Sequence, residues 1–171
     1  MKKQLISQAL ESHLSELVSM SDQIYDFAEP GMEEIQSSRL LTEYLKAKGF
    51  EVECGIAGLP TAFRAVYEQG SGGPSFGFLA EYDAIKDIGH ACGHHIQGPS
   101  VIGAALALCD VCGEEPYKIV IYGTPAEETI GGKIIMKEKG CFQDIDIALM
   151  MHAAPNTCVD VRCMALECYY V

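Results

Sequence analysis

The chain has 171 residues, 49% apolar and 21% charged, which is enough for one globular domain with a real core and excludes a disordered chain. Twelve Lys and Arg stand against 24 Asp and Glu, a formal charge of −12 that repels phosphate backbones and excludes nucleic acid as a partner. No apolar stretch reaches the length of a membrane span: the longest, Val101 to Cys109, is too short and contains Gly103.

Apolar residues recur at helical spacing from Leu5 to Ala28, which predicts a first helix stopped by Pro30 and Gly31. A second helix is predicted from about Glu33 to Lys48, with Ile35, Leu41, Tyr44 and Leu45 inward and Gly49 at its C-terminal cap. Phe50 to Cys54 and Thr61 to Tyr67 read as short strands, and Gln69 to Pro74 as a turn. Beyond the turn lie three apolar runs, Phe76 to Ala80, Ile119 to Tyr122 and Ile145 to Met151. They alternate with helical stretches at about Pro99 to Cys112 and Glu128 to Lys139. That order predicts a parallel sheet with crossover helices, its strands buried on both faces. The helix from Pro99 is apolar almost all round, so it belongs deep in the core. The expected fold class is α/β, a mostly parallel sheet with helices on both faces.

Three polar patches follow the C-terminal ends of the apolar runs: His90-Ala91-Cys92-Gly93-His94-His95, Thr124-Pro125-Ala126-Glu127-Glu128, and His152. In open α/β sheets that edge binds ligands. Thiol, imidazole and carboxylate are the side chains that hold zinc-like ions. Gly93 lets the loop turn so that Cys92 and His94 can both point inward. Glu127 and Glu128 are adjacent and diverge, which suggests two jobs, one as metal ligand and one as general base. Asp83, after the first run, is placed to orient a ligand or the catalytic water. Each feature has a plain structural reading as well: a buried thiol and core histidines, an acidic first helical turn, an Asx turn at Asp83. The start at Met1-Lys2-Lys3-Gln4 shows no secretory signal, so the eight cysteines read as free thiols or ligands and the expected compartment is the cytoplasm.

Six segments carry a resemblance: Glu29 to Glu34, Gly58 to Phe63, Ala80 to Ala84, Gly89 to His94, Gly123 to Glu128, and Met150 to His152. On them the sequence resembles the co-catalytic metallopeptidases and amidohydrolases that include aminoacylases, aminobenzoyl-glutamate hydrolase and auxin-conjugate hydrolases. It is most similar to the subgroup acting on dipeptides such as β-alanyl-lysine. The resemblance implies a zinc-exopeptidase-like fold and two divalent ions, zinc or manganese. It makes Cys92, His94, Glu128 and His152 metal ligands, Glu127 the base that takes a proton from metal-activated water, and Asp83 a support of the site. The implied substrate is a small N-acyl amino acid or dipeptide. His95 stands where the subgroup usually has Asn or Asp, and Lys86 where proline is common.

The resemblance also implies a longer protein. Residues 1–163 match the N-terminal part of a catalytic domain, and 164–171 the first strand of a lid domain through which members often form homodimers. A last histidine ligand is expected beyond it, so the chain alone is expected to be inactive or weakly active. Two alternatives stand beside this. One is a non-catalytic fragment that binds metal or a complementary chain. The other uses Cys92 as a nucleophile with a neighbouring histidine, and leaves Glu127, Glu128 and His152 unexplained.

Overall fold

Two helices open the chain in the computed structural model, which describes residues 2–159. They are α1 (Lys2–Phe27) and α2 (Ile35–Ala47). The turn between them is held by Glu29. Its carboxylate accepts the backbone N–H of Gln36 at 2.9 Å and of Ser37 at 2.9 Å, so it satisfies donors at the start of α2 that Glu34 at the cap position does not.

Five strands form one sheet: β1 (Glu51–Cys54), β2 (Phe63–Gln69), β3 (Ser75–Ala80), β4 (Tyr117–Gly123) and β5 (Ile147–Met150), in the order β1-β2-β4-β3-β5. β3 runs parallel to both β4 and β5, giving the parallel block read from the three apolar runs. β2 joins β4 antiparallel and β1 pairs antiparallel with β2, so the sheet is mixed.

Strand periodicity decides the layers. Ile119 and Ile121 face α1, α2 and the long helix α3 (His94–Val111), packing with Leu17, Ile24, Leu41, Leu45, Ile102 and Phe78. Val120 and Tyr122 face the other way, against Ile56, Leu59 and Met136 of α4 (Gly132–Glu138). Helices therefore cover both faces. Among the described residues, no helix is long and apolar enough to cross a membrane. The expected lid segment, residues 164–171, lies outside the described residues.

Three local expectations are corrected. α3 begins at His94, not Pro99, and Pro99 sits inside it. The proline costs the helix one backbone hydrogen bond, and burial of Val101, Ile102, Ala105, Leu106 and Ala107 along the same helix outweighs that loss. α4 begins at Gly132, because Glu127 to Gly131 turn back on themselves after Ala126 adopts a left-handed backbone with φ 57°. β5 is not buried on both faces. Among the described residues it pairs only with β3, and Ile147, Leu149 and Met150 are 47%, 44% and 50% exposed.

Candidate functional site

Register brings the polar patches together. Ala80 of β3 lies beside Gly123 of β4, and Leu79 lies beside Met150 of β5. Glu81, Thr124 and Met151 therefore leave the sheet at one edge, followed by Asp83, Glu127, Glu128 and His152. The first turn of α3 adds His94. Gly93, with φ 88°, turns the chain between Cys92 and His94 in a conformation that favours glycine. Gln97 of α3 straps the edge together: it accepts the Glu81 N–H at 2.7 Å and donates to the Met151 carbonyl.

His94 is the centre. Its side chain is 1% exposed, and Nδ1 lies 3.0 Å from both the carbonyl and Oδ1 of Asp83. Both partners are acceptors, so Nδ1 carries a proton, and in the neutral imidazole Nε2 presents a lone pair. That Nε2 is buried without a hydrogen-bond partner among the described residues. Around it stand Glu81 Oε2 at 3.3 Å, Glu127 Oε2 at 3.9 Å and Glu128 Oε1 at 3.9 Å. The His152 ring meets the His94 ring edge-on at 5.4 Å, and His152 Nε2 lies 3.5 Å from Cys92 Sγ. Two donor groups result, Cys92–His94–His152 and His94–Glu127–Glu128, each with its atoms within 4.8 Å of one another. Asp83 serves both its neighbours, since its second oxygen accepts the Glu128 N–H at 2.9 Å.

The electrostatics are those of a site short of positive charge. Burial, then the carboxylates of Glu128, Glu127 and Glu81, pushes the Cys92 thiol up to about 12. Burial and the nearby Glu81 raise Glu127 as well. Burial disfavours a charged His94, but Asp83 and Glu81 outweigh it and hold the imidazole above its ordinary value. A bound cation inverts this balance, favouring thiolate and carboxylate together.

The loop bearing Glu127 and Glu128 is pinned from below. Ala126 donates its N–H to Oε1 of buried Glu34 at 2.7 Å, and Thr61 donates its hydroxyl to Oε2 at 2.9 Å. Glu34→Ala leaves both donors without this acceptor and is expected to cost about 1–3 kcal/mol in chemical denaturation, while Glu34→Gln keeps most of the stability. Burial raises the Glu34 carboxyl above its ordinary value, so the native state binds this proton more tightly than the unfolded chain. Its contribution is complete below the ordinary carboxylate value and is lost as pH rises through the raised one. Glu34→Gln should abolish that loss; unfolding midpoints measured against pH check both expectations.

His90, His95 and Lys86, near the site in sequence, are placed outside the two donor groups. His95 and His90 pack on each other and on Tyr25 of α1, at ring separations of 5.2 Å and 5.1 Å for His90–His95 and His95–Tyr25. His90 Nε2 donates to the Ile24 carbonyl at 2.9 Å. Lys86 is exposed on the loop before the cysteine patch. Conversely, Glu81, Glu34 and Gln97 were not expected. For Glu81 a signal existed, since acids two apart after a buried strand share a face. Glu34 reads in sequence as an ordinary acidic residue at a helix start.

Comparison with known proteins adds the family. No family model matches the chain. The Xaa-Arg dipeptidase of Homo sapiens is 34% identical over 178 residues, covering 93% of this chain and 40% of that protein. A p-aminobenzoyl-glutamate hydrolase polypeptide of Escherichia coli (strain K12) is 31% identical over 166 residues, 86% of this chain and 34% of that one. A dinuclear metal binding peptidase of the M20 family from Bacillus subtilis has the same fold, with a TM-score of 0.73 and 22% identity over 85% of this chain and 44% of that one.

The chain belongs to the M20 peptidase family. Its mixed sheet with helices on both faces is that of an M20 catalytic domain. A second solved structure, an aminobenzoyl-glutamate utilization protein from Klebsiella pneumoniae, has the same fold, with a TM-score of 0.71 at 18% identity over 85% of this chain and 46% of that one. This M20 chain spans 38% and 40% of the length of the mouse and human dipeptidases it matches.

Proposed function

We propose that the chain carries the metal-binding part of an M20 amide-bond hydrolase acting on N-acyl amino acids or dipeptides. One observation carries this reading: a fully buried His94 Nε2, its lone pair exposed by the Asp83 contact, has no hydrogen-bond partner among the described residues and is ringed by thiol, imidazole and carboxylate donors. A carboxylate holding the far nitrogen of a histidine is the arrangement that orients a metal ligand. Cys92, His94, Glu128 and His152 are the proposed ligands, and two divalent ions, zinc or manganese, the proposed cofactors. Sulfur and nitrogen donors suit zinc, while carboxylates accept either metal.

When bound, the metal supplies Lewis acidity toward the amide carbonyl and makes water more acidic. The chain's own residues do the rest. Asp83 sets the His94 tautomer and holds the Glu128 backbone. Glu127, with 39% of its side chain exposed, is the base: it takes the proton of the attacking water and returns it to the leaving amine. The cytoplasm, and a dimer formed through a lid domain, complete the proposal. The 171-residue chain alone is expected to bind metal yet hydrolyse weakly or not at all.

Elemental analysis and thermal unfolding of the purified chain, before and after chelation, test the metal reading. Bound zinc or manganese should be near stoichiometric, and its removal should lower the melting temperature, as loss of any native-state ligand does. A chain that takes up neither metal overturns the reading. Chelator-sensitive turnover of acyl-amino acids by this chain alone overturns only the expectation that it is incomplete.

A further inference from the structure

We propose that Glu81 is a direct ligand of the ion that His94 holds, with Lys133 as its charge partner. This rests on the metal-site reading above and extends it to a residue outside the ligand set proposed there.

The Glu81 side chain is 2% exposed, Oε1 accepts from the Lys133 ammonium, and Oε2 is buried with no hydrogen-bond partner among the described residues. A buried, unpartnered carboxylate oxygen is costly unless something positive meets it. What Oε2 faces is His94 Nε2, the other unpartnered buried atom of the site, at 3.3 Å. In the neutral imidazole, with its proton on Nδ1, two lone pairs confront each other, and only a proton or a metal ion can stand between them. A cation between them satisfies both.

The distance fits that role. Two donors about 2.0–2.2 Å from one tetrahedral ion lie about 3.3–3.6 Å apart. Glu81 Oε2 falls in this range from His94 Nε2 at 3.3 Å, while Glu127 and Glu128 stand farther off at 3.9 Å. Glu81 is also the most firmly held of the three acids. Its backbone N–H is fixed by Gln97, and its carboxylate is anchored at one oxygen by Lys133, a residue of α4. Glu127 and Glu128 lie on a turn and are 39% and 25% exposed. The carboxylate is thus divided, one oxygen on an ammonium and one left for a metal. Lys133 lessens the charge that the buried site would otherwise accumulate.

The experiment is a titration of metal-free protein with Co²⁺, followed by visible absorption and by calorimetry, with circular dichroism as a check of folding. The wild type should show cobalt bands, including the near-ultraviolet thiolate band that Cys92 would contribute. Glu81→Gln should lower cobalt affinity about tenfold or more and alter the visible bands, as loss of a ligand or of its direct support does. Glu81→Asp, which withdraws the carboxylate by one methylene but keeps its charge, should weaken binding likewise, and it decides the matter if Glu81→Gln does not fold. Lys133→Met, which keeps the carboxylate and removes only its anchor, should weaken binding clearly less than Glu81→Gln does. Wild-type affinity and spectrum in a folded Glu81→Gln or Glu81→Asp protein overturn the proposal and leave the metal reading standing. Equal losses in Glu81→Gln and Lys133→Met also overturn it, since Glu81 would then act only through the ion pair to α4. A wild-type protein that shows no cobalt bands overturns the metal reading itself.

Discussion

Glu127→Gln, in a protein with the complete catalytic domain, is expected to lower kcat by about 10²–10⁴-fold, the range for loss of a positioned general base, with metal content unchanged. The geometry separates Glu127 from its neighbour. Both carboxylates lie 3.9 Å from His94 Nε2, but the Glu128 backbone is tied to Asp83 and Glu128 is the less exposed, at 25% against 39%. The tether of Glu128 fits the ligand role proposed for it, and the greater exposure of Glu127 fits the role of a base that must reach water and substrate. Glutamine keeps the size and polarity of Glu127 and removes only its capacity to take a proton. Glu128→Gln should do the reverse, releasing metal first and losing activity as a consequence. Steady-state kinetics with elemental analysis on both variants separate the roles. If Glu127→Gln loses metal while Glu128→Gln retains it, the two assignments are exchanged.

Asp83→Asn is expected to weaken metal binding by about 10–100-fold and to lower turnover at limiting metal in proportion. Asp83 is fully buried and uses both oxygens, one for the His94 Nδ1–H and one for the Glu128 N–H. Asparagine has a single acceptor to offer to two donors. If its amide group turns toward His94, the imidazole must move its proton to Nε2, where it blocks the lone pair that faces the other donors. If the amide turns toward Glu128, two N–H groups oppose each other and the loop shifts. Either way one proposed ligand is displaced without being mutated. Zinc or cobalt titration of the variant measures the effect. Undiminished affinity would show that Asp83 does not set the His94 tautomer.

Much of this was legible in the residues. The three apolar runs are long enough, and uninterrupted enough, to announce strands covered by helices. The polar patches end those runs, so their convergence followed from strand direction alone. Cys92, His94, Glu127, Glu128 and His152 were found because their side chains are rare in such company. Pro99 misled, since proline ordinarily opens a helix and here lies inside α3. His90 and His95 misled in another way. They share a patch with His94 in sequence, but successive helical residues point about 100° apart, and His95 turns toward Tyr25.

The sequence by itself determined which groups are present, in what order along the chain, and that a parallel block carries them to one edge. These are properties of local periodicity and composition, readable one segment at a time. Tertiary structure decided what each group meets. Glu34 under the Ala126 turn, Asp83 behind His94, and Glu81 against its Nε2 are contacts between residues 92, 11 and 13 positions apart. No local pattern encodes them. They arise because sheet register and the packing of α2 and α3 bury these carboxylates at one place. Burial then turns ordinary surface-type acids into groups that must find a donor or a cation.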